Sequence, residues 1–233
     1  MINYAHRGAS EYAPENTMSS FYLGLLQGAN GIETDVQRTR DGELVLFHDD
    51  TLDRVTDGRG AVSDYTLAEL RELKVTGNAT TGFFDRIVTF REFLEVFSAY
   101  NIHFAIELKV PGVEEDTVAL AKEFGIMNRT TFTSFRFECI QKTKEVCPEA
   151  RVGWLVVKPT EETLETLKAI GGEELAPKAT EITEETIAHW RSRGFGVRAW
   201  GISGVEIMKK MCRLGVEGMT VNFPDRLFQY LSR

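Results

Sequence analysis

From residue 103 to the carboxyl terminus, short apolar runs alternate with longer amphipathic segments. The apolar runs have the length of buried strands, and the segments between them carry apolar residues at helical spacing. The sequence predicts strands at residues 103–109, 131–134, 152–156, 174–176, 196–200 and 218–221, helices at 114–124, 138–147, 161–170, 184–193 and 205–214, and a short terminal helix from 225. Parallel strands need such crossover helices, so the alternation indicates a parallel sheet.

The amino-terminal part begins the same alternation, with a strand at residues 2–5, a helix capped near Asn16 or Thr17, and an acidic strand from Gly31. The main strands then number eight, which predicts an α/β fold of the (β/α)8 TIM barrel class. The length of 233 residues suits one such domain over residues 1–233. An open doubly wound sheet is the alternative, but no Gly-rich Rossmann or Walker loop supports it.

Residues 50–89 interrupt the alternation. This segment is rich in Thr, Asp, Gly and Arg and contains one short helical pattern at residues 67–73. Connections in barrels are usually only a few residues long. The sequence therefore predicts an inserted lobe after the second strand, followed by a helix at residues 90–100.

The second strand carries two carboxylates on one face. Glu33 and Asp35 are two residues apart, so their side chains project from the same side of an extended chain. Neighbouring carboxylates repel unless a cation, a shared proton or water lies between them. Asp41-Gly42 is a hairpin-turn signal, and the apolar run after it predicts a return strand that ends at His48. We expect His48 to lie beside the acidic pair.

Other chemically active residues end the predicted strands, and barrel active sites lie at the carboxyl ends of the strands. This rule brings together His6, Arg7, Glu33, Asp35, His48, Glu107, Lys109 and Trp200. Three carboxylates suit a divalent cation such as Mg2+, Ca2+ or Mn2+. Two histidines suit acid and base roles near neutral pH, and two cationic side chains suit an anion. Together they indicate phosphoryl chemistry assisted by a metal.

Charge and composition exclude several other classes. The net charge of −8 argues against general nucleic-acid binding and against adhesion to anionic membranes. The sequence shows no signal-peptide pattern and no apolar run long enough to span a bilayer. Cys139, Cys147 and Cys212 form an odd set without metal-ligand spacing, which indicates reduced thiols. We predict a cytoplasmic protein with a small-molecule substrate; the oligomeric state is left open.

Six short motifs resemble, in their order, those of the glycerophosphodiester phosphodiesterases. They are His6-Arg7-Gly8, Pro14-Glu15-Asn16-Thr17, Glu33-Thr34-Asp35-Val36-Gln37, His48-Asp49, Thr51-Leu52-Asp53-Arg54 and Ile106-Glu107-Leu108-Lys109. An insertion after His48-Asp49 also matches the family. The resemblance implies a barrel enzyme that uses a divalent metal, Mg2+ or Ca2+, to hydrolyse glycerophosphodiesters to an alcohol and glycerol 3-phosphate.

The resemblance also implies roles for individual residues. The metal ligands would be Glu33, Asp35 and Glu107, with Glu15 supporting them or touching the metal, and the acid and base would be His6 and His48. We lean to His6 as the acid and His48 as the base. Arg7 and Lys109 would hold the phosphate, although they could instead pair with the carboxylates, and Trp200 is expected to line the substrate pocket.

The carboxyl-terminal part departs from the family pattern. Trp200-Gly201-Ile202-Ser203 stands where Trp-Thr-Val-Asn is common, and Val221-Asn222-Phe223-Pro224 stands where Thr-Asp-x-Pro is common. These changes bear on the alcohol specificity more than on the reaction.

Two other functions remain open from the sequence. One is a phospholipase of the lysophospholipase D or sphingomyelinase D type, which shares this barrel; Phe83-Phe84 is the one candidate for bilayer contact in the predicted insertion. The other is a non-catalytic module that binds glycerophosphodiesters. A preference for long-chain lysolipid would favour the first, and detectable turnover would exclude the second.

Overall fold

The parallel strands pair in their order along the chain, and the first pairs with the last. The strands are β1 (Ile2–His6), β2 (Gly31–Arg38), β3 (Leu44–Leu46), β4 (His103–Leu108), β5 (Thr130–Ser134), β6 (Val152–Val156), β7 (Glu174–Pro177), β8 (Gly196–Ala199) and β9 (Gly218–Val221). The computed structural model describes residues 1–76 and 83–232. β1 pairs with both β2 and β9, so eight parallel strands form a closed barrel. The predicted TIM barrel is confirmed.

Helices alternate with the barrel strands and surround them, apart from α2, which lies within residues 50–89. They are α1 (Met18–Leu26), α2 (Leu67–Arg71), α3 (Phe90–Phe97), α4 (Glu114–Glu123), α5 (Phe137–Val146), α6 (Glu161–Ala169), α7 (Glu184–Ser192), α8 (Val205–Leu214) and α9 (Pro224–Leu231). Five of them begin at a threonine whose hydroxyl accepts a backbone N–H of the first turn: Thr17, Thr66, Thr89, Thr160 and Thr183. Such caps satisfy N–H groups that have no partner within the helix. α3 ends three residues before its predicted end, where the Tyr100 N–H bonds the Phe97 carbonyl in a turn.

The main hydrophobic core lies between the helices and the outside of the barrel. Phe93 of α3 packs edge-on against Phe21 and Phe104, with ring centroids 4.8 and 5.9 Å apart. All three rings are fully buried, and burying a phenylalanine contributes roughly 1.5–3 kcal/mol. Side chains point to alternate sides along a strand. Because Phe104 points outward to the helices, the residues on either side of it in β4 point into the barrel. The barrel interior is thereby left for Glu33, Asp35 and other polar side chains.

β3 forms the predicted hairpin with β2. The two strands are antiparallel, with Val36 opposite Leu46, and the turn between them includes Gly42 at a φ of +94°. Glycine adopts this left-handed backbone without steric cost. The hairpin carries the chain from the acidic strand back to the barrel mouth, where β3 is followed by His48.

The described part of residues 50–89 has a small core of its own. Leu52, Val55, Val62, Leu70 and Val75 pack with Val45 and Phe47 of the hairpin. The segment also contains a single turn of 3-10 helix (Val62–Asp64) and α2. Residues 77–82 lie outside the described part. The boundaries of the inserted lobe, and the assignment of residues 1–233 to one domain, stay predictions.

No helix in the described ranges is both long and apolar enough to cross a lipid bilayer. Cys139, Cys147 and Cys212 are all free thiols, and the first two are buried. The predicted cytoplasmic location stays a prediction.

Candidate active site

Three buried carboxylates meet at the carboxyl ends of β2 and β4. Glu33 and Asp35 lie on the inward face of β2, and Asp35 is directly opposite Glu107 in the parallel register. One carboxylate oxygen from each of the three lies within 4.8 Å of the other two. The structure thus brings together the three residues that the sequence suggested as metal ligands.

The environment pushes the pKa values of these carboxyl groups apart. Burial, and then the charge of Asp35, raise the pKa of Glu33 well above its usual value and also raise that of Glu107. Burial alone would raise the pKa of Asp35 too, but Arg7 and Lys109 lower it. The groups therefore differ in proton affinity because three negative charges cannot share this space without compensation.

The site fits a divalent cation. Its donors are carboxylate oxygens, the ligands that Mg2+ and Ca2+ prefer. Oδ1 of Asp35 is buried and has no hydrogen-bond partner among residues 1–76 and 83–232, so a ligand atom is available where the three carboxylates meet. A cation there would offset the repulsion that raises the pKa values of Glu33 and Glu107.

Arg7 and Lys109 form ion pairs with these carboxylates and with Glu15. Lys109 Nζ lies 2.7 Å from Glu107 Oε1 and 3.7 Å from Asp35 Oδ1. Arg7 Nε lies 3.2 Å from Asp35 Oδ2, and Arg7 Nη1 lies 2.9 Å from Glu15 Oε1. The salt-bridge alternative for these two cations is therefore present in the structure, and their contact with phosphate stays a prediction.

The two candidate histidines line one cavity with Glu33 and Glu107. This cavity has a volume of about 360 Å3. The His6 Nδ1 lies 2.6 Å from Asn222 Oδ1, and its Nε2 lies 3.9 Å from Glu33 Oε2. Burial, and then the charge of Arg7, lower the pKa of His6 to about 3. His48 follows β3, and its Nδ1 lies 2.6 Å from Asp49 Oδ1.

Arg54 connects the His48 side of the site to the Arg7 side. Its Nε donates to Asp49 Oδ2 at 2.5 Å, and its Nη1 donates to Glu15 Oε2 at 2.9 Å. Glu15 thus bonds both arginines and lies outside the group of three carboxylates. In this structure Glu15 supports the cations that surround the site. The hydrogen bonds from Arg54 lower the pKa of Asp49 to about 2.

Asn16 is a site residue to which the sequence assigned no role beyond a possible helix cap and a place in the Pro14-Glu15-Asn16-Thr17 motif. Its Nδ2 donates to Asp35 Oδ2 at 2.8 Å, and its Oδ1 accepts from the Thr34 hydroxyl at 2.8 Å. Arg7 and Asn16 both have a φ of +56°, and the Asn16 N–H bonds the Arg7 carbonyl at 3.0 Å. Left-handed backbone at non-glycine residues is strained and concentrates at functional sites. The motif Pro14-Glu15-Asn16-Thr17 was the available signal, but it did not show that Asn16 bonds Asp35.

Aromatic residues form a wall of the cavity. Trp200 Nε1 donates to the carbonyls of Val156 and Ala176 at 3.1 and 3.0 Å, which fixes the indole at the barrel mouth. Its ring meets Phe135 edge-on, with centroids 5.1 Å apart. Both rings line the cavity. The contact of Trp200 with substrate stays a prediction. A second pocket of about 380 Å3 shares His48, Glu107 and Phe135 with this cavity and includes Lys109.

The sequence matches the model of the Glycerophosphoryl diester phosphodiesterase family over residues 6–226. The chain belongs to this family. It is 32% identical over 237 residues to the glycerophosphodiester phosphodiesterase of Caldanaerobacter subterraneus subsp. tengcongensis, an alignment that covers 98% of this chain and 97% of that protein. It is also 32% identical to the glycerophosphodiester phosphodiesterase of Bacillus altitudinis, with 96% of this chain and 95% of that protein covered.

Solved structures of phosphodiesterases share the whole fold. An Oleispira antarctica phosphodiesterase, solved in complex with the product sn-glycerol-3-phosphate, superimposes with a TM-score of 0.86 and 28% identity, covering 99% of this chain and 96% of that one. A glycerophosphodiester phosphodiesterase from Agrobacterium tumefaciens superimposes with a TM-score of 0.86 and 26% identity, covering 97% and 98%. The predicted family, fold and enzyme class are confirmed.

Proposed function

We propose that this family member hydrolyses glycerophosphodiesters to an alcohol and glycerol 3-phosphate, with a divalent cation held by Glu33, Asp35 and Glu107. The observation that carries the proposal is that two histidine rings and two of these carboxylates line one cavity. The similar Oleispira antarctica enzyme in complex with sn-glycerol-3-phosphate supports the choice of product. Mg2+ and Ca2+ both suit the three oxygen donors.

The cation would act as a Lewis acid that polarises the phosphoryl group and favours deprotonation of the nucleophile. The protein's own side chains stabilise the developing charge and transfer the protons. Arg7 and Lys109 balance the negative charge that develops on the pentacoordinate phosphorus, because they are partly buried cations beside the carboxylates. Their positions do not depend on substrate, since Glu15 and Glu107 already hold them.

The two histidines transfer the protons. One imidazole removes the proton of the nucleophile, which is water or the neighbouring glycerol hydroxyl, as the new oxygen–phosphorus bond forms. The other donates a proton to the departing alkoxide as the old phosphorus–oxygen bond breaks. We assign the acid role to His6 and the base role to His48. Asn222 and Asp49 each hold the Nδ1 of one ring, so each Nε2 is left for proton transfer.

The histidine roles are tested by turnover of glycerophosphocholine, with the released glycerol 3-phosphate measured. His6→Ala and His48→Ala should each lose nearly all activity. His189→Ala is the matched control, because His189 is an exposed residue of α7 that pairs with Glu161. Retained activity in either of the first two variants would remove that histidine from the mechanism.

The cation and the substrate class are tested in the same assay. Treatment with EDTA should abolish turnover, and Mg2+ or Ca2+ should restore it. Full activity after exhaustive chelation would exclude a required cation. Long-chain lysolipid added as a second substrate tests the phospholipase alternative, and binding of glycerophosphocholine without turnover would indicate a non-catalytic module.

A further inference from the structure

A buried arginine lies deep in the barrel, beneath the residues assigned to the reaction. Arg198, on β8, is 1% exposed, and its Nε donates to Glu174 Oε1 at 2.7 Å. Its guanidinium lies over the Tyr4 ring, 5.5 Å from the centroid. Its Nη2 is buried without a hydrogen-bond partner in the described part of the chain. An unpartnered charged N–H group is costly away from water, which indicates that something else accepts from it.

The surrounding strands make room for this arginine and hold it from one side. A Cβ at position 153 would lie 2.9 Å from Glu174 Oε1, so Gly153 leaves the space that the carboxylate occupies. Glu174 is the first residue of β7 and therefore pairs with Arg198 from the amino-terminal end of the barrel. Arg198 also lines the cavity that contains His6 and Glu33. The ion pair fixes the guanidinium as part of the cavity floor.

We propose that Arg198 is a substrate-binding residue whose terminal N–H groups donate to a hydroxyl oxygen at a polyol end of the substrate. Arg198 lies two residues before Trp200 on the same strand face, so it is roughly 7 Å deeper in the barrel. The inference rests on the proposed function, because the substrate must reach the floor of the same cavity. It adds a binding contact that is separate from the phosphate site.

The cavity floor at Arg198 suits a hydroxyl group better than the quaternary ammonium or phosphate group of a glycerophosphodiester. A quaternary ammonium group has no lone pair to accept an N–H and carries the same charge as the guanidinium. The phosphate is expected near Arg7 and Lys109, at the carboxyl ends of the strands. A hydroxyl offers lone pairs to Arg198, while Leu155 and Trp200 provide apolar wall for the carbon chain.

Two parts of a glycerophosphodiester can supply this hydroxyl: the glycerol of the phosphate half, or a polyol leaving alcohol. Calorimetric binding of glycerol 3-phosphate and of inorganic phosphate to the Mg2+-loaded protein distinguishes them. If the glycerol half reaches the floor, Arg198→Met should bind glycerol 3-phosphate roughly tenfold to a hundredfold more weakly, the range for a hydrogen bond to a charged group. Its affinity for inorganic phosphate should be unchanged.

If the leaving alcohol reaches the floor, the affinity for glycerol 3-phosphate should be unchanged in Arg198→Met. The kcat/KM for glycerophosphoglycerol should then fall by that factor relative to glycerophosphocholine. Two ratios decide the test: the affinity for glycerol 3-phosphate relative to inorganic phosphate, and the kcat/KM for glycerophosphoglycerol relative to glycerophosphocholine. The inference is overturned if neither ratio changes, or if the binding of glycerol 3-phosphate and of inorganic phosphate is weakened equally. Arg193→Met, at a partly exposed arginine that pairs with Glu161 and Glu165, is the matched control.

Two further variants keep the test decisive if Arg198→Met does not fold. Arg198→Lys keeps the charge but loses the forked donors, and Glu174→Gln keeps the arginine but weakens its anchor. Both should reduce one of the two ratios while leaving inorganic phosphate binding intact. Wild-type protein that binds glycerol 3-phosphate but turns over no glycerophosphodiester would defeat the proposed function, and the binding ratio would still decide the role of Arg198.

Discussion

The Nδ1 of His6 lies 2.6 Å from the Oδ1 of Asn222, although the two residues are 216 positions apart in the sequence. Closure of the barrel makes this contact, because β1 pairs directly with β9. An amide oxygen only accepts, so the Nδ1 of the ring carries the hydrogen and the Nε2 faces the carboxylates. Asn222 thus sets both the orientation and the tautomer of a proposed catalytic histidine.

Asn222→Leu should lower kcat because the His6 ring loses the acceptor that orients it. We expect a reduction of roughly 10- to 100-fold, the usual effect of losing an orienting partner. Asn222→Asp keeps an acceptor of the same shape, so it should retain more activity than the leucine variant. Steady-state kinetics with glycerophosphocholine, with circular dichroism to verify folding, measure the effect. Equal activity of Asn222→Leu and wild type would show that this contact does not matter.

Substrate binding should take up a proton if His6 is the acid. Burial, and then Arg7, lower the pKa of His6 to about 3, so its ring is neutral at pH 7 in the free site. An acid must be protonated, and an anionic ligand beside the ring would raise its pKa. Calorimetry of glycerol 3-phosphate binding in buffers of different ionisation enthalpy measures this uptake. His6→Ala is the comparison, and equal uptake in both proteins would move His6 to the base role.

Metal binding should release protons, and its affinity should rise with pH. Burial and the charge of Asp35 raise the pKa values of Glu33 and Glu107, so at a given pH these groups hold more protons than ordinary carboxyl groups do before the cation arrives. Deprotonated carboxylates are the ligands, and each proton must leave as the cation binds. Titration with Mg2+ or Ca2+ in weakly buffered solution detects the release. Glu33→Gln should reduce both the release and the affinity, and an affinity independent of pH between 5 and 8 would contradict this account.

The sequence predicted the parts of the site that depend on strand periodicity. Glu33 and Asp35 follow from the two-residue alternation, and Glu107 joins them because parallel strands end at one edge of the barrel. Asn222 and Arg198 could not be predicted in this way. The Asn222 contact depends on the exact register at barrel closure, and the role of Arg198 depends on the space left by Gly153. No local pattern shows either contact. The departure from the family pattern at Asn222 was expected to bear on the alcohol specificity, whereas the structure places Asn222 against His6.

The Asp49–Arg54 pair should stabilise the fold in a pH-dependent way. The hydrogen bonds from Arg54, the largest influence, lower the pKa of Asp49 from 3.8 to about 2. A folded-state pKa below the unfolded value means that the stabilisation is present above pH 3.8 and is lost as the pH falls through about 2. A shift of this size corresponds to at most about 2 kcal/mol.

Urea unfolding of Asp49→Asn measures this contribution, because the amide keeps the shape of the side chain but cannot form the ion pair. At pH 7 the free energy of unfolding should be lower than in wild type by up to about 2 kcal/mol. The difference should shrink as the pH falls from 4 towards 2. Asp50→Asn is the matched control, since Asp50 is exposed and forms no ion pair with the described residues. A difference that is constant from pH 7 to pH 2.5 would mean that Asp49 acts through packing and not through its charge.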